Sequence, residues 1–252
     1  MKPQPPTPAT ADRRLTTAAL ALVLVLLVLP LAGTPPSSNP NELVRIELTI
    51  AMALWASVDL ENPAHVYGLS EDVARREGRI LADKAPGLSM AAVPVVWMLG
   101  GVLPSRPGTD FPAYWPMRHL LTFLLVSSAA GLGCFFVAFH IPETDSRVAT
   151  SLALIACLAT PMWTYGTVFF GHAPAAALMA VAWLLLLAPD RPSPTFRASF
   201  LGGLAAGFAV ASEYPTILLV TVGLVAFAAR RPPLRILRGA MAGLAIGGLP
   251  ML

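Results

Sequence analysis

Charged side chains that could carry chemistry are concentrated between residues 34 and 117, which hold 9 of the 14 acidic residues of the chain. Glu42, Arg45 and Thr49 recur at helical spacing, so they share one face of a predicted helix. A carboxylate placed beside a guanidinium can take a proton from a hydroxyl group or help to bind a metal ion. We therefore expect this segment to contain the reactive groups.

The helix that carries these residues also admits a simpler interpretation. Asn39 can cap it, Pro40 suits its first position, and Glu42 can return to the cap as in a capping box. Arg45 can pair with Glu42 at i,i+3, an exposed pair worth under about 1 kcal/mol. The narrow polar stripe on an otherwise apolar helix predicts that it lies at a membrane surface.

A second short helix is predicted from Ser70 to Glu77, ending at Gly78. Asp83 and Lys84 then precede a Pro-Gly turn. The Lys84 ammonium could hold a phosphate oxygen, or it could be an interfacial anchor that Asp83 neutralises.

Four further candidates lie in loops and turns. Asp59 and Asp72 are possible metal-binding or base residues, although loop carboxylates are usually solvated. His172 follows Gly171 in a short turn and could act in catalysis, contact a phosphate, or only form interfacial hydrogen bonds. Glu213, with Tyr214 beside it, lies between apolar runs. A charge within a membrane costs roughly 3 kcal/mol and marks function, unless the turn lies at the interface.

The composition defines the elements that must position these groups. Hydrophobic residues make up 56% of the 252 residues and charged residues 12%, against roughly 25% charged in a soluble domain. Mean hydropathy is +0.67. These values exclude a soluble globule and predict an all-α, polytopic bundle of transmembrane helices. Apolar runs lie at 15–33, 118–139, 148–170, 173–188, 198–212, 216–229 and from 239 onward.

Positive charge sets the predicted orientation. Arg13 and Arg14 precede the first run, and a second cluster lies at residues 230–238, so both should be cytoplasmic and separated by an even number of spans. We prefer the count in which the apolar stretch 86–103 does not cross. The competing count makes 86–103 a span and 198–229 one long tilted helix. The first run could also be a cleaved signal peptide, but we favour a retained helix.

The resulting organisation has a cytoplasmic N-terminus (1–14), a first transmembrane helix (15–33), an extracytoplasmic segment with interfacial helices (34–117) and a transmembrane bundle (118–252). The last apolar run is too short to cross, so we expect a longer natural polypeptide. The glycines at 203, 207, 243 and 247 predict close helix packing. Cys134 and Cys157 lie inside apolar runs and form neither a disulfide framework nor a metal-ligand spacing.

Asn41-Glu42 after the first span, the amphipathic helix that follows, and Asp83-Lys84-Ala85-Pro86-Gly87 before an apolar segment resemble the N-terminal module of GT-C superfamily membrane glycosyltransferases. These include family 39 and the aminoarabinose and protein-mannosyl transferases. The resemblance covers most of the chain in topology and about ten residues in motif. Asn41 replaces the Asp that many members have, and Glu42 is the matched carboxylate.

The resemblance implies an enzyme of the bacterial inner membrane and cell envelope that transfers a hexose or pentose from a polyprenyl-phosphate donor to a lipid, glycan or protein acceptor. Glu42, with Asn41 and His172, would be catalytic, and Lys84 and Arg45 would bind the donor phosphate. Asp59, Asp72, Asp83, Glu213 and Tyr214 are further candidates. The cofactor is undefined, with a divalent metal ion as one option.

The alternative class is a multi-pass permease or lipid flippase, in which Glu213 couples transport and the long segment forms a lid. Nucleic acid is excluded as a partner because the arginines are scattered rather than arranged with interleaved aromatic residues. The chain has no Walker A, GxSxG, HExxH or CxxC pattern, so ATP-driven transport and the commoner hydrolases lack support.

Overall fold

The computed structural model describes residues 8–33, 39–62, 71–99, 114–141, 144–187 and 194–251. Over these ranges the chain is mostly helical, as the composition predicts. One two-stranded antiparallel sheet is present, so the all-α prediction is correct for the bundle and wrong for the segment that precedes it.

The helices follow the apolar runs of the sequence closely. They are α1 (Pro8–Gly33), α2 (Pro40–Trp55), α3 (Gly87–Met98), α4 (Tyr114–Leu121), α5 (Ser128–Ala138), α6 (Ser146–Leu158), α7 (Pro161–Gly166), α8 (His172–Leu187), α9 (Phe196–Ser212), α10 (Thr216–Ala229) and α11 (Leu234–Gly248). A π-helical segment, Thr122–Ser127, joins α4 to α5, and a 3₁₀ turn, Leu249–Met251, follows α11.

One predicted run is divided in two. The stretch 148–170 forms α6 and α7 because Pro161, which has no N–H group, starts a new helix. Thr160 caps that helix, and its side chain accepts a hydrogen bond from the backbone of Met162. The stretch 198–229 is likewise two helices, α9 and α10, as the preferred count predicts, and the single long helix of the competing count is wrong.

The helix predicted from Ser70 to Glu77 is also wrong. The described part of this stretch forms β1 (Val73–Arg76), which pairs with β2 (Arg79–Ala82), while Ser70 lies outside the described residues. Glu77 and Gly78 have φ of 52° and 78°, the left-handed pair that a tight hairpin turn requires. A glycine suits such a turn as well as a helix end, and the sequence alone favours the wrong one.

Packing of α2 explains why the hairpin forms. Val44 and Leu48 pack against Val73 and Ile80 of the hairpin. On another side of α2, Ile46 belongs to the core that α3, α4 and α5 complete. The helix is therefore enclosed between the hairpin and the bundle. Its polar stripe faces protein, contrary to the expectation of a stripe at the membrane surface.

Helix α3 runs parallel to α2. Ser89 donates to the carbonyl of Arg45, and the Trp97 indole donates to the carbonyl of Ala53. Its 12 residues rise about 18 Å, less than the roughly 30 Å of a hydrocarbon core. The other apolar helices of 10–17 residues are short by the same measure, so whether 86–103 crosses stays a prediction.

Within the described ranges, one helix has the length and apolar character of a membrane span. It runs through α4, the π-helical segment and α5, from Pro116 to Ala138 (23 residues), and its most apolar 18-residue window has a mean hydropathy of 2.2. The other apolar helices have 10–17 residues. Large apolar side chains nevertheless face outward, most clearly on α10, where Leu218 is 71% exposed and Val225 is 65% exposed.

Helices α9 and α11 are in backbone contact, as their glycines predict. A Cβ atom on Gly203 would lie 2.0 Å from the carbonyl oxygen of Ala240, and one on Gly243 would lie 2.0 Å from that of Phe200. Real Cβ atoms do not approach so closely. The small residues are therefore required for this packing.

Candidate functional site

The first turn of α2 directs the candidate residues inward. Asn39 caps the helix by accepting a hydrogen bond from the backbone N–H of Asn41, and Pro40 occupies the first turn. This start fixes the helical register, so Glu42 and Arg45 lie on the face that meets the ends of the bundle helices. Both side chains are buried.

Glu42 holds α2 to the bundle. Its side chain is 0% exposed. Oε1 accepts a hydrogen bond of 2.7 Å from the backbone N–H of Phe169 and lies 2.8 Å from Nε of Arg118. Oε2 has no hydrogen-bond partner among the described residues. The carboxylate is thus engaged away from the cap, and the capping-box interpretation of Glu42 is wrong.

The guanidinium of Arg45 joins three elements. Nε donates to Asn41 Oδ1 at 3.3 Å, and Nη1 donates to the carbonyls of Ala85 at 3.2 Å and Ser212 at 3.4 Å. Nη2 donates to Glu213 Oε2 at 3.2 Å. Burial lowers the pKa of Arg45, and the nearby charge of Glu213 acts in the opposite direction. The expected pair with Glu42 is replaced by one with Glu213.

Glu213 connects this buried group to the surface. The same Oε2 atom that accepts from Arg45 lies 3.1 Å from Nδ1 of His172. The side chain of Glu213 is 17% exposed, whereas that of His172 is 40% exposed. The ring of Tyr165 meets the His172 ring edge-on, with centroids 4.8 Å apart. A carboxylate thus orients a histidine that solvent can reach.

The backbone before His172 makes this pairing possible. A Cβ on Gly171 would lie 2.2 Å from the carbonyl oxygen of Ser212 and 2.5 Å from Glu213 Oε2. Only a glycine lets the start of α8 approach the end of α9 so closely. Glu213 itself ends α9, as its cap residue. It therefore lies at a helix end, in the turn between α9 and α10; its depth in a membrane stays a prediction.

Lys84 lies between two acidic side chains near the hairpin. Its Nζ is 2.8 Å from Asp72 Oδ2 and 3.1 Å from Asp83 Oδ2. Partial burial lowers the pKa of Lys84, but the hydrogen bonds to Asp72 and Asp83 outweigh this, and the net direction is upward. Ala85, the residue after Lys84, accepts a hydrogen bond from Arg45 through its carbonyl oxygen. Lys84 is therefore adjacent in sequence to the hydrogen-bond network of Arg45.

The remaining candidates have clear local positions. Asp59 accepts backbone hydrogen bonds from Glu61 and Ile80, so it supports the hairpin. Tyr214 is half-exposed beside Glu213, and burial raises its pKa while Arg45 opposes the shift. Whether any of these residues acts on a substrate stays a prediction.

An apolar cavity of about 400 Å³ lies beside His172. His172, Tyr165 and Thr160 line it, together with Cys134 and Met162. A second cavity of about 320 Å³ shares several of these walls and continues between α5, α6 and α8. The residues that line both cavities are Cys134, Ala156, Met162 and Ala176. Together the two cavities form a groove with an almost wholly apolar lining, and His172 and Tyr165 lie at one end of it.

A metal site does not follow from the geometry. Within the ranges that the structure describes, no group of three or more His, Cys, Asp and Glu side chains lies close enough to hold a metal ion. His172 and Glu213 supply only two such ligands.

Sequence reasoning did not identify Arg118, the partner of Glu42. In the sequence it is only the first residue of the apolar run 118–139. A buried arginine at that place is a signal, because a charge next to a long apolar run needs a partner. The sequence could not show that this partner is 76 positions earlier in the chain.

Comparison with protein-family models finds no match, and comparisons with curated proteins and with solved structures likewise find no similar chain.

Proposed function

We propose that the chain is a membrane glycosyltransferase that takes a sugar from a polyprenyl-phosphate donor and passes it to a lipid, glycan or protein acceptor on the extracytoplasmic face. The observation that supports this proposal most strongly is that His172, oriented by Glu213, lies at one end of an apolar groove. Such a donor has a polar reacting end and a long apolar chain. His172 suits the reacting end, and the apolar lining suits the chain.

His172 is the group best placed to accept a proton. Glu213 is bonded to Nδ1, so a hydroxyl of the acceptor would give its proton to Nε2. The acceptor oxygen then bonds to the sugar carbon, while the bond from that carbon to the phosphate oxygen breaks. The phosphate leaves with the bonding electrons, and the imidazolium that forms is stabilised by the Glu213 carboxylate.

Lys84 is proposed to stabilise the leaving phosphate. Its ammonium is only partly exposed and already binds two carboxylates, so a phosphate would replace Asp72 or Asp83 as its partner. This keeps the phosphate-binding role proposed for Lys84 from the sequence. Arg45 is enclosed by its present partners, and we assign it the positioning of Glu213 instead of direct phosphate contact.

Glu42 receives a positioning role for the same reason. Its side chain is 0% exposed and bound to Arg118 and to the Phe169 backbone. A base must lie within hydrogen-bond reach of its proton donor. An acceptor hydroxyl can approach His172, which is 40% exposed, whereas it could approach Glu42 only after α2 moves away from the bundle.

Location in a membrane is part of the proposal. It is supported by the span-length helix Pro116–Ala138 and by the outward-facing Leu218 and Val225 of α10. In this arrangement the start of α8 and the end of α9, which meet at the His172–Glu213 pair, face the extracytoplasmic side, and the N-terminus of the chain is cytoplasmic.

The experiment is sugar transfer in proteoliposomes. Polyprenyl-phosphate mannose, glucose and arabinose, each radiolabelled, are supplied in parallel with a bacterial lipid and protein extract as acceptor. We expect one donor to transfer label, and we expect His172→Gln and Glu213→Gln to reduce this transfer by a factor of about 10² to 10⁴. Glu77→Gln, at a side chain that is 80% exposed in the hairpin turn, is the matched control and should transfer normally.

Two results would contradict the proposal. If no donor transfers label although the protein is folded, the enzyme class fails. If Glu42→Gln stops transfer while His172→Gln does not, the base is Glu42. A carrier is recognised by a third pattern, in which labelled donor crosses the bilayer unchanged and only Glu213→Gln stops its movement.

A further inference from the structure

Exposed arginines gather at the end of the bundle where α9 begins, α10 ends and α11 begins. We call this surface the basic patch, and its members are Arg197, Arg230, Arg231, Arg235 and Arg238, each of which is exposed. Within the described ranges, no carboxylate forms an ion pair with residue 197, 231, 235 or 238. The patch therefore presents positive charge to its surroundings.

Arg235 is the most fixed member of the patch. The central carbon of its guanidinium lies over the Phe196 ring, 5.6 Å from the ring centroid. A Cβ atom on Gly239 would lie 3.0 Å from the same ring, so the ring packs closely on α11. A guanidinium that stacks through its face still offers N–H donors at its edges. The oxygens of a phosphate are the acceptors that match this fork of donors.

The other arginines are carried by short, restrained elements. Arg238 follows Arg235 by three residues, so both lie on one side of α11. Arg231 lies in the turn of residues 230–233, which contains two prolines, and its backbone N–H donates to the carbonyl of Ala228 at 2.9 Å. Because proline fixes φ, the turn has little freedom. The patch is thus a defined arrangement of charges.

An apolar stripe on α10 leads to the basic patch. Leu218, Val222 and Val225 are 71%, 61% and 65% exposed, and their spacing places them on one outward face. Helix α10 ends at Ala229, so the arginines follow this stripe directly. Leu234, beside Arg235, is 59% exposed. Apolar chains and an anionic headgroup occur together in a phospholipid, whereas an acidic soluble protein or a nucleic acid would leave the stripe uncovered.

We propose that the basic patch binds the headgroup of an anionic phospholipid of the bilayer. The headgroup phosphate lies at Arg235 and Arg238, and the acyl chains lie along the α10 stripe. Each arginine near an anionic lipid surface adds about fivefold in affinity at low salt, so these two together add about 25-fold. The proposal rests on the membrane location that is part of the proposed function. It does not need sugar transfer, because lipid binding is measured without any donor.

Trp183 provides a reporter for this binding. The residue is 37% exposed, and its indole lies so close to Gly223 of α10 that a Cβ there would be 2.5 Å from Nε1. A lipid whose acyl chains are brominated quenches tryptophan fluorescence on contact. Quenching of Trp183 therefore reports acyl chains beside α10, and Trp183→Phe identifies its share of the signal.

The experiment titrates the full chain in detergent micelles with brominated phosphatidylglycerol or brominated phosphatidylcholine. We expect half-maximal quenching by the anionic lipid at a mole fraction at least about 25-fold lower. Arg235→Gln/Arg238→Gln should lower this preference about 25-fold, and about 0.5 M NaCl should weaken it in the wild type. Arg75→Gln/Arg79→Gln, at two exposed positions of the hairpin, removes the same charge and should keep the preference.

Four results would overturn the proposal. The wild type could be quenched equally by both lipids, the control pair could lose the preference as strongly as Arg235→Gln/Arg238→Gln, or Trp183→Phe could leave the preference unchanged. In the fourth, soluble glycerol 1-phosphate at the lipid concentration abolishes the preference, which identifies a site for a soluble anion. Unfolding of each variant in detergent is compared with the wild type first. If loss of Arg235 alters it, Arg197→Gln/Arg238→Gln replaces that pair.

This outcome is independent of the proteoliposome assay of sugar transfer. A protein that prefers phosphatidylglycerol but transfers no sugar would retain the lipid site and lose the enzyme class. A protein that transfers sugar without this preference would do the reverse.

Discussion

Gly171→Ala offers the sharpest test of the candidate site. The added methyl group would lie 2.2 Å from the Ser212 carbonyl oxygen and 2.5 Å from Glu213 Oε2. Both atoms must retreat by roughly 1 Å to reach ordinary contact, and a misplacement of this size can cost about 10² in rate. The crowding itself should cost about 1–3 kcal/mol of folding free energy. We therefore expect a folded, less stable protein with transfer reduced about a hundredfold.

The matched control is Gly131→Ala, on α5. Its methyl group would meet Val23 at 3.4 Å and Leu27 at 3.6 Å, which is ordinary contact. Alanine also favours a helix by up to about 1 kcal/mol, so transfer and stability should be kept. Transfer is measured in proteoliposomes and unfolding by tryptophan fluorescence in detergent. Transfer at the wild-type rate by folded Gly171→Ala would refute the role given to the His172 and Glu213 pair.

Three further variants test the frame around the site. Arg45→Ala removes a buried guanidinium from the Glu213 carboxylate and should lower the free energy of unfolding by about 3–5 kcal/mol in denaturant titration, while Arg79→Ala on the exposed hairpin should have little effect. Gly203→Ala forces a methyl group to within 2.0 Å of a backbone oxygen and should cost about 1–3 kcal/mol, whereas Gly248→Ala, with nothing within 4 Å, should be neutral in the same titration. Lys84→Met should raise KM for the donor. Because the pKa of Lys84 is raised in the folded state, the charged ammonium stabilises the fold at pH values below the ordinary lysine pKa. This stabilisation is lost as pH rises through the pKa of the folded state. The free energy of unfolding should therefore depend less on pH in the alkaline range in Lys84→Met than in the wild type.

Most helices could be predicted from the sequence because apolar runs act locally. The boundaries of α9 and α10 match the predicted runs within two residues at every end. The hairpin could not be predicted in this way. Gly78 suits a helix end and a tight turn equally, and the choice is made by the packing of Val73 and Ile80 on α2, a contact between distant parts of the chain.

The candidate site shows the same difference between local features, which the sequence predicts, and contacts between distant residues, which it does not. The register of Glu42 and Arg45 on one face of α2 is a local property, and the structure confirms that both lie on the buried side. Their partners are not local. Arg45 binds Glu213, 168 positions later, and the sequence offers a nearer carboxylate in Glu42. Proximity in the sequence therefore predicted the wrong ion pair.

The two carboxylates on this network are distinguished by access, and this difference orders their roles. Glu42 is fully buried against Arg118 and a backbone N–H group, and breaking such a pair is costly, so it fixes α2 in place. Glu213 is held on one side by Arg45, which α2 positions, and meets the exposed His172 on the other. The proposed base, His172, must be oriented by neighbours whose own positions are fixed. In the proposed enzyme Glu42 and Arg118 fix α2, and α2 in turn positions Arg45 and Glu213 beside His172.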